Sequence, residues 1–448
     1  MEREGYILKL EAWAASLRRK PLILEGARQV GKTWLMRKFA ETHYEHVVYA
    51  RFDQNKLLRG IFKKDFDVNR IVNDLEILFN TRINAGNTIL LFDEIQACKD
   101  ALTSLKYFCE DRPDLPVIAA GSLLGLTYRD DEQDDDADSD DESTGFPVGK
   151  VDTIKVYPLS FLEFLGAIGE TRLSESIRVG NWATLDTFND RINDRLRHYY
   201  VVGGMPAAVA AYVESRNFLD VRTIHRGILE GYRLDISKHA PKGDVRKIEM
   251  CWQSIPAQLA KENKKFVYSA LKKGGRAAEF RDPLAWLEDA GLISIVKRVT
   301  TPKLPLEGYV DGAFKVYMLD VGLLATLSDL PTEVVLEGSR IFTEFKGALT
   351  EQYVFNQLRA DTVITPYYWS TEDSRCEVDF VFQRGMTVCP LEVKAEKNVY
   401  SQRLKSYRER FRPSVAYRVS MLPYCEQKGV NGEMLYCIPL AAVGCLKV

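Results

Sequence analysis

The sequence predicts an α/β fold whose first part contains a buried parallel sheet. Three short apolar runs predict strands of this sheet, namely PLILEGA, TILLFDE and LPVIAAG. Each run is followed by a loop or by a helical pattern, as in sheets that helices cover on both faces. With 448 residues, the chain is too long for one ordinary core, so we expect about two to four domains.

The overall composition excludes several classes of protein. The chain has 61 Lys and Arg against 63 Asp and Glu, so its net charge of −2 does not indicate a nucleic-acid partner, and any basic surface must be local. The eight cysteines form no CxxC pair and only five histidines are present, which argues against a zinc ribbon and a disulfide framework. The first residues, MEREGYILKLEAW, lack the apolar core of a signal peptide, and the longest apolar run is too short to span a membrane. We therefore expect a cytoplasmic protein without a membrane partner.

An acidic segment, RDDEQDDDADSDDES, interrupts the α/β part at residues 129–143. It has almost no apolar residues and cannot bury enough surface to fold, so we expect a solvated, disordered insert over 129–144. A regulatory or DNA-mimicking role is the alternative.

Helical patterns dominate the part that follows. In FPVGKVDTIKVYPLSFLEFL a strand pattern leads to Ser160 as the N-cap of a helix. Helical periodicity continues to about residue 242, and the proline of GGMP suits the first turn of a new helix. From about 245, two helical patterns followed by the strand ISIVKRV are similar to a winged helix-turn-helix. The last part, from about 338, has the order αβββαβ.

The segment after the first strand matches a phosphate-binding loop. Gly26-Ala-Arg-Gln-Val-Gly-Lys-Thr33 fits the pattern GxxxxGK[ST] between a predicted strand and a predicted helix. Glycines let successive backbone N–H groups curl around phosphate oxygens, and the start of the helix adds its positive end. The lysine reaches the β and γ phosphates, and the threonine hydroxyl ligates Mg²⁺. The predicted nucleotide-binding residues are Gly26, Ala27, Arg28, Gln29, Val30, Gly31, Lys32, Thr33 and Trp34.

A second element of the same site is predicted at the end of TILLFDE. Asp93 would contribute to the Mg²⁺ environment, and Glu94 would orient the attacking water. Taken alone, the two acids would fit a simple strand end equally well. Ser122, which follows VIAAG, is a candidate sensor of the γ-phosphate, with a simple turn as the alternative.

The C-terminal part contains a candidate second site. Asp379 followed by Glu392-Val393-Lys394 resembles the D…(D/E)xK pattern of restriction-endonuclease-like folds. Such sites hold Mg²⁺ between two carboxylates on adjacent strands, and the lysine activates the attacking water. Glu392 and Lys394 share one face of their strand, and Glu351 in the preceding helix is a further candidate acid. Alternating charges can also form the solvent face of a strand, and such a fold does not by itself imply cleavage.

Several motifs together resemble a known family. GARQVGKTWL, LLFDEIQ, AAGSLLGL, FPVGKVDTIKVYPLSFLEFL and YYVVGGMP look like successive signatures of bacterial and archaeal AAA-type ATP-binding proteins with a C-terminal domain of unknown function. The resemblance covers nearly the whole chain. It implies an AAA-like P-loop ATPase core at 1–168, a helical lid at 169–242, a winged helix at 243–330 and a small restriction-endonuclease-like α/β domain at 331–448.

The chain departs from this family at one position that bears on catalysis. Many relatives have an arginine after the glycine of PVGKV, where this chain has Lys150. If Lys150 contacts the γ-phosphate, it supplies charge but not the planar fork of arginine. Arg28 and Arg233 are lesser candidates for that contact.

The sequence therefore predicts a Mg²⁺-dependent ATPase whose nucleotide state controls the winged helix and the nuclease-like end. DNA is an expected further partner, since the basic clusters KENKK at 261–265 and KKGGR at 272–276 could meet phosphates, with solvated turns as the alternative. An ATP-gated DNA nuclease of a defence or mobile-element system is a second hypothesis. A third is a non-hydrolysing regulator that uses ATP to organise protein partners. The oligomeric state stays open, although a homo-oligomer would suit trans-acting residues, which are common in AAA-type assemblies.

Overall fold

Five parallel strands form the sheet of the N-terminal unit, which consists of Arg3–Tyr157 and Asp289–Gly291. The computed structural model describes residues 3–122, 124, 146–337, 343–395, 402–429 and 432–446, so the predicted acidic insert lies outside the described residues. The strands are β1 (Leu22–Glu25), β2 (His46–Arg51), β3 (Thr88–Asp93), β4 (Val117–Ala120) and β5 (Asp152–Lys155). They lie in the order β2-β3-β4-β1-β5, and all neighbours pair in parallel. β3 and β4 are buried along their whole length, as their continuous apolar runs predict.

Aromatic packing beneath the sheet fixes the end of β3. Phe92, next to the last residue of β3, contacts the rings of Phe52, Phe62 and Phe108 at centroid distances of 5.7, 5.5 and 5.8 Å. All three contacts are edge-to-face, the arrangement that buried aromatic pairs favour. The acidic pair that follows Phe92 is therefore carried by a rigid strand. The helices of this unit are α1 (Glu4–Ala14), α2 (Lys32–His43), α3 (Lys56–Lys64), α4 (Val68–Phe79) and α5 (Lys99–Asp111).

The C-terminal unit consists of the described residues of Pro158–Glu288 and Leu292–Val448 and begins with helices. Ser160 caps the first of them through a capping box with Glu163, and Pro206 starts another, so both predicted helix starts are confirmed. Within the described ranges, no helix has the length and apolar character needed to cross a membrane. The helices are α6 (Phe161–Ala167), α7 (Thr171–Val179), α8 (Trp182–Thr187), α9 (Asn189–Val202), α10 (Pro206–Ser215), α11 (Phe218–His239), α12 (Val245–Leu259) and α13 (Ala277–Asp289).

A mixed sheet of eight strands forms the rest of this unit. Its strands are β6 (Ile293–Val299), β7 (Val310–Met318), β8 (Tyr367–Ser370), β9 (Glu377–Arg384), β10 (Thr387–Val393), β11 (Val415–Ser420), β12 (Cys425–Lys428) and β13 (Met434–Pro439). The helices α14 (Val321–Leu327), α15 (Thr332–Glu337), α16 (Thr343–Asp361) and α17 (Gln402–Phe411) accompany them.

The strands of this sheet lie in the order β12-β13-β11-β10-β9-β8-β6-β7. The sheet therefore includes strands from two predicted domains, the winged helix and the C-terminal α/β domain. β6 and β7 form the antiparallel hairpin of the expected winged helix, and β6 also pairs in parallel with β8. The hairpin therefore belongs to the same sheet as the C-terminal strands. The four-part division of the chain stays a prediction.

The motif GGMP forms a close turn between α9 and α10. Gly203 has φ 63°, and a Cβ there would lie 2.2 Å from a carboxylate oxygen of Asp320. A Cβ on Gly204 would lie 2.0 Å from the carbonyl oxygen of Leu159. The buried Asp320 carboxylate accepts hydrogen bonds from the backbone N–H of Gly204 at 2.6 Å and of Leu323 at 2.9 Å. The motif GGMP thus links α9 to α10 and fixes both to Asp320, which is the N-cap of α14.

Candidate nucleotide-binding site

The loop between β1 and α2 has the backbone of an anion-binding turn. Gly26, Gln29 and Gly31 have φ values of 142°, 65° and 95°. Such residues curl successive N–H groups toward one side, which is how these loops bind phosphate. A Cβ on Gly26 would lie 2.3 Å from the carbonyl oxygen of Val156, so this position requires glycine.

Arg3 stabilises this loop through hydrogen bonds to backbone carbonyls. Its guanidinium is buried and donates to the carbonyl oxygens of Val30 at 3.0 Å and Tyr157 at 2.8 Å. Within the loop, Ala27 and Val30 are buried, which leaves Arg28 and Gln29 as the more accessible side chains. Sequence reasoning did not find Arg3, because nothing in its local pattern distinguishes it from a solvent-exposed arginine.

Lys32 lies folded against its own loop. Its Nζ donates to the carbonyl oxygens of Gly26 at 2.8 Å and Ala27 at 2.7 Å, and the residue is only 8% exposed. Burial lowers the pKa of Lys32 to about 8, although Glu94 and Asp93 favour its charged form. A lysine held by neutral carbonyls can exchange them for phosphate oxygens at modest cost.

Asp93 is the point where three elements of the site meet. Its carboxylate accepts hydrogen bonds from the Thr33 hydroxyl at 3.0 Å, the Tyr49 hydroxyl at 2.6 Å and the backbone N–H of Glu94 at 3.0 Å. Burial and the bond to Asp93 raise the pKa of Tyr49 above its ordinary value, so Tyr49 stays a donor. Sequence reasoning did not find Tyr49, because it reaches Asp93 only through the pairing of β2 with β3.

Glu94 belongs to a small polar network. It has φ 52°, a strained conformation for a residue other than glycine. Gln96 Nε2 donates to Glu94 Oε2 at 2.5 Å and also reaches Ser122 Oγ at 3.4 Å. Arg28 Nε donates to the same Ser122 Oγ at 3.1 Å. The fold therefore brings the predicted water-orienting acid and the predicted sensor together through Gln96, which sequence reasoning did not find.

Lys150 and Trp34 stand apart from this network. β5 runs parallel to β1 with Asp152 beside Leu22, so Lys150 lies near the beginning of β1, whereas the phosphate loop follows its end. The Lys150 Nζ pairs with Glu110 at 2.7 Å, and the structure does not bring it together with the other predicted catalytic residues. The Trp34 side chain is exposed on α2. Arg233 pairs with Glu230 on its own helix in the C-terminal unit.

The second predicted site lies in the C-terminal unit, where Glu351 and Glu392 are buried and Asp379 and Lys394 are half-buried. Lys394 Nζ pairs with Glu392 Oε1 at 2.9 Å, and Asp379 Oδ2 accepts the backbone N–H of Val393 at 2.7 Å. Glu351 Oε1 accepts a hydrogen bond from Lys315 Nζ at 2.9 Å. Burial and the carboxylates of Glu351 and Glu392 raise the pKa of Asp379 well above its ordinary value. Among the described residues, no group of three or more His, Cys, Asp and Glu side chains is arranged to hold a metal ion.

The sheet, the loop after β1 and the acidic pair Asp93-Glu94 at the end of β3 define a P-loop nucleotide-binding fold. Residues 18–165 match the model of a family described as an AAA domain. Two further models match, described as domains of unknown function DUF8612 at 193–334 and DUF4143 at 346–443. The chain thus carries an AAA domain followed by C-terminal domains of unknown function, which confirms the resemblance found in the sequence.

Three solved structures match the chain at low sequence identity. A Walker-type ATPase of Pyrococcus abyssi has 18% identity and a TM-score of 0.46, and the match covers 73% of this chain and 95% of that chain. The Aeropyrum pernix Orc1 protein in complex with DNA has 15% identity and a TM-score of 0.23, covering 75% and 94%. The PCH-2 protein of C. elegans has 15% identity and a TM-score of 0.21, covering 39% and 46%. Similarities of this size carry no functional argument. No curated protein matches the sequence.

Proposed function

We propose that the N-terminal unit binds ATP with Mg²⁺ and hydrolyses it. The observation that carries this proposal is the hydrogen bond of 3.0 Å between Thr33 Oγ1 and Asp93 Oδ2, next to Lys32 in the same loop. Thr33 and Asp93 offer hard oxygen donors, which fit Mg²⁺. When bound, the ion neutralises charge on the phosphates. The same hydrogen bond orients the Thr33 hydroxyl for that role.

In this proposal the loop binds the phosphates before any chemistry takes place. Lys32 leaves the carbonyls of Gly26 and Ala27 and donates instead to oxygens of the β and γ phosphates. The N–H groups of the loop and the first turn of α2 take the remaining phosphate oxygens. Arg3 keeps the loop in shape, because it fixes the Val30 carbonyl from the protein side.

Hydrolysis requires a base that faces the γ-phosphate. Glu94 orients a water molecule and accepts its proton, the water oxygen bonds to the γ-phosphorus, and the bond to the β–γ bridging oxygen breaks to release ADP and phosphate. Gln96 acts as a positioning residue, since it holds the Glu94 carboxylate at 2.5 Å and reaches Ser122 at 3.4 Å. Ser122, held by Arg28, would then report the presence of the γ-phosphate to Glu94.

Two measurements on the purified full chain test this function. Calorimetric titration with ATP and Mg²⁺ measures binding, and phosphate release measures turnover with Mg²⁺ and after its removal by EDTA. We expect binding and Mg²⁺-dependent release. Binding without release would favour the regulator that uses ATP only as a ligand. Failure of the wild-type chain to bind ATP would contradict the proposal.

Contact with DNA phosphates is a second candidate function, suggested by the loop between α12 and α13. Lys272, Lys273 and Arg276 are exposed there, although Lys272 pairs with Glu279 at 2.9 Å. Such a contact would weaken as salt concentration rises, because bound counterions are released from the DNA. Fluorescence anisotropy with a labelled duplex at several salt concentrations tests it, and neutralising Lys273 and Arg276 together should weaken binding.

A further inference from the structure

The second predicted site contains lysines that its sequence pattern does not include. Lys315 on β7 is fully buried, and its Nζ lies 2.9 Å from Glu351 Oε1 and 2.6 Å from Glu377 Oε1. Glu351 on α16 is 1% exposed, and Glu377 on β9 is 6% exposed. Lys264 pairs with the other carboxylate oxygen of Glu351. Glu351, the further candidate acid of this site, thus meets two ammonium groups that come from other parts of the chain.

We propose that the ammonium groups of Lys315 and Lys264 take the position of the divalent metal ion in this nuclease-like centre, which therefore serves as a structural joint and not as a DNA-cleaving site. This inference does not depend on the ATPase proposed above, because it rests on residues of the C-terminal unit alone.

Both carboxylate oxygens of Glu351 and one of Asp379, which a metal ion would need, already have donors. Glu351 Oε1 accepts from Lys315 and from the Tyr317 hydroxyl, and Glu351 Oε2 accepts from Lys264. Asp379 Oδ2 accepts the backbone N–H of Val393. Mg²⁺ demands near-octahedral oxygen coordination and gives up its water reluctantly. It would therefore have to displace Lys264 and Lys315 from Glu351, which leaves the buried Lys315 with fewer counter-charges and is costly.

The joint connects elements that are far apart in sequence. Lys315 and Tyr317 lie on β7 of the hairpin, Glu351 lies on α16, and Glu377 lies on β9. A fully buried charge pair gives little net stability compared with apolar packing, but removing one partner leaves the other uncompensated. The cluster therefore fixes how the hairpin, the helix and the sheet fit together within this unit.

A metal titration tests the first half of the proposal. Free Mn²⁺ is followed by electron paramagnetic resonance while Mn²⁺ is added to the full chain without nucleotide. The same titration of Asp379→Asn is the reference. Any weak binding near Asp93 is present in both proteins and therefore does not contribute to the difference between their curves. We expect the two curves to coincide, with no cleavage of a duplex in Mg²⁺ or Mn²⁺. A Mn²⁺ site or cleavage present in the wild type and lost in Asp379→Asn would overturn the proposal.

Thermal unfolding tests the second half. Lys315→Met should lower the unfolding midpoint by about 10 °C, because Glu377 then lies buried without its partner. The double variant Lys315→Met/Glu377→Gln should recover part of that loss, since the uncompensated charge is gone. Lys297→Met is the matched control, because Lys297 lies on the same hairpin but pairs with Glu307 in an exposed position. A loss no larger than that of the control, or no recovery in the double variant, would contradict the joint.

Discussion

Lys32 in the N-terminal unit and Lys315 in the C-terminal unit are both buried and both lie near acids, yet they are bonded differently. Lys32 donates to two neutral carbonyls, whereas Lys315 donates directly to two carboxylates. Burial opposes the charge of each lysine and lowers the pKa of Lys32 to about 8, but Glu351 and Glu377 raise the pKa of Lys315 well above its ordinary value. The contrast teaches that a lysine beside acids is available to a ligand when its own partners are neutral and replaceable.

The N-terminal site, with its replaceable lysine partners, is expected to be catalytic, and the largest expected effect of a substitution there is on ATP turnover. Glu94→Gln removes the proposed base but keeps the size of the side chain and its hydrogen-bonding ability. We expect phosphate release to fall by about 10²- to 10⁴-fold while ATP binding is retained. Phosphate release under saturating ATP measures the loss, and Glu41→Gln on the exposed face of α2 is the control. Unchanged release in Glu94→Gln would remove Glu94 from the mechanism.

Removal of the loop lysine should act on binding. Lys32→Ala deletes the ammonium group that would exchange its bonds to loop carbonyls for bonds to phosphate oxygens. Loss of charge-assisted hydrogen bonds of this kind predicts roughly 100-fold weaker ATP binding. Titration calorimetry with ATP and Mg²⁺ measures this change. Lys38→Ala, an exposed position on the same helix, should bind like the wild type. Equal affinity in the two variants would place the phosphates elsewhere.

The role of Gln96 predicts a smaller effect with a characteristic form. Gln96→Ala frees the Glu94 carboxylate from its bond of 2.5 Å. Loss of one such bond predicts a kcat about tenfold lower with an unchanged KM, because ATP itself is still held by the loop. Steady-state kinetics separates the two constants. A raised KM with normal kcat would mean that Gln96 supports nucleotide binding instead.

The smallest effect concerns pH. Phosphate binding favours the charged form of Lys32, whose pKa is about 8 in the free protein. At pH values above 8, Lys32 must therefore take up a proton when ATP binds, so ATP affinity falls as pH rises. Between about pH 7.5 and 8.5 we expect roughly threefold weaker binding. Lys32→Arg keeps its charge throughout this range and should lack the decline. The same decline in both proteins would assign it to another group.

The phosphate loop could be predicted from sequence because the residues expected to bind the phosphates, Gly26 to Thr33, are consecutive. Asp93 and Glu94 could be predicted because a continuous apolar run, which forms a buried strand, leads directly to them. Tyr49, Gln96 and Arg3 could not be assigned roles, since their contacts arise from strand pairing and loop conformation. In the second site, the spacing of Glu392 and Lys394 is local, but Lys315 comes from a hairpin far away along the chain. Local patterns therefore predicted Glu351 and missed Lys315 and Lys264, which pair with it.

The GGMP turn also constrains how this chain can change over generations. A side chain at Gly204 meets the carbonyl oxygen of Leu159, and a side chain at Gly203 meets the carboxylate of Asp320. Shortening or removing the carboxylate would leave the buried N–H groups of Gly204 and Leu323 without an acceptor. A single substitution at Gly203, Gly204 or Asp320 therefore disrupts this turn. Variation there has to occur as paired changes or not at all, even though the turn contains no catalytic group.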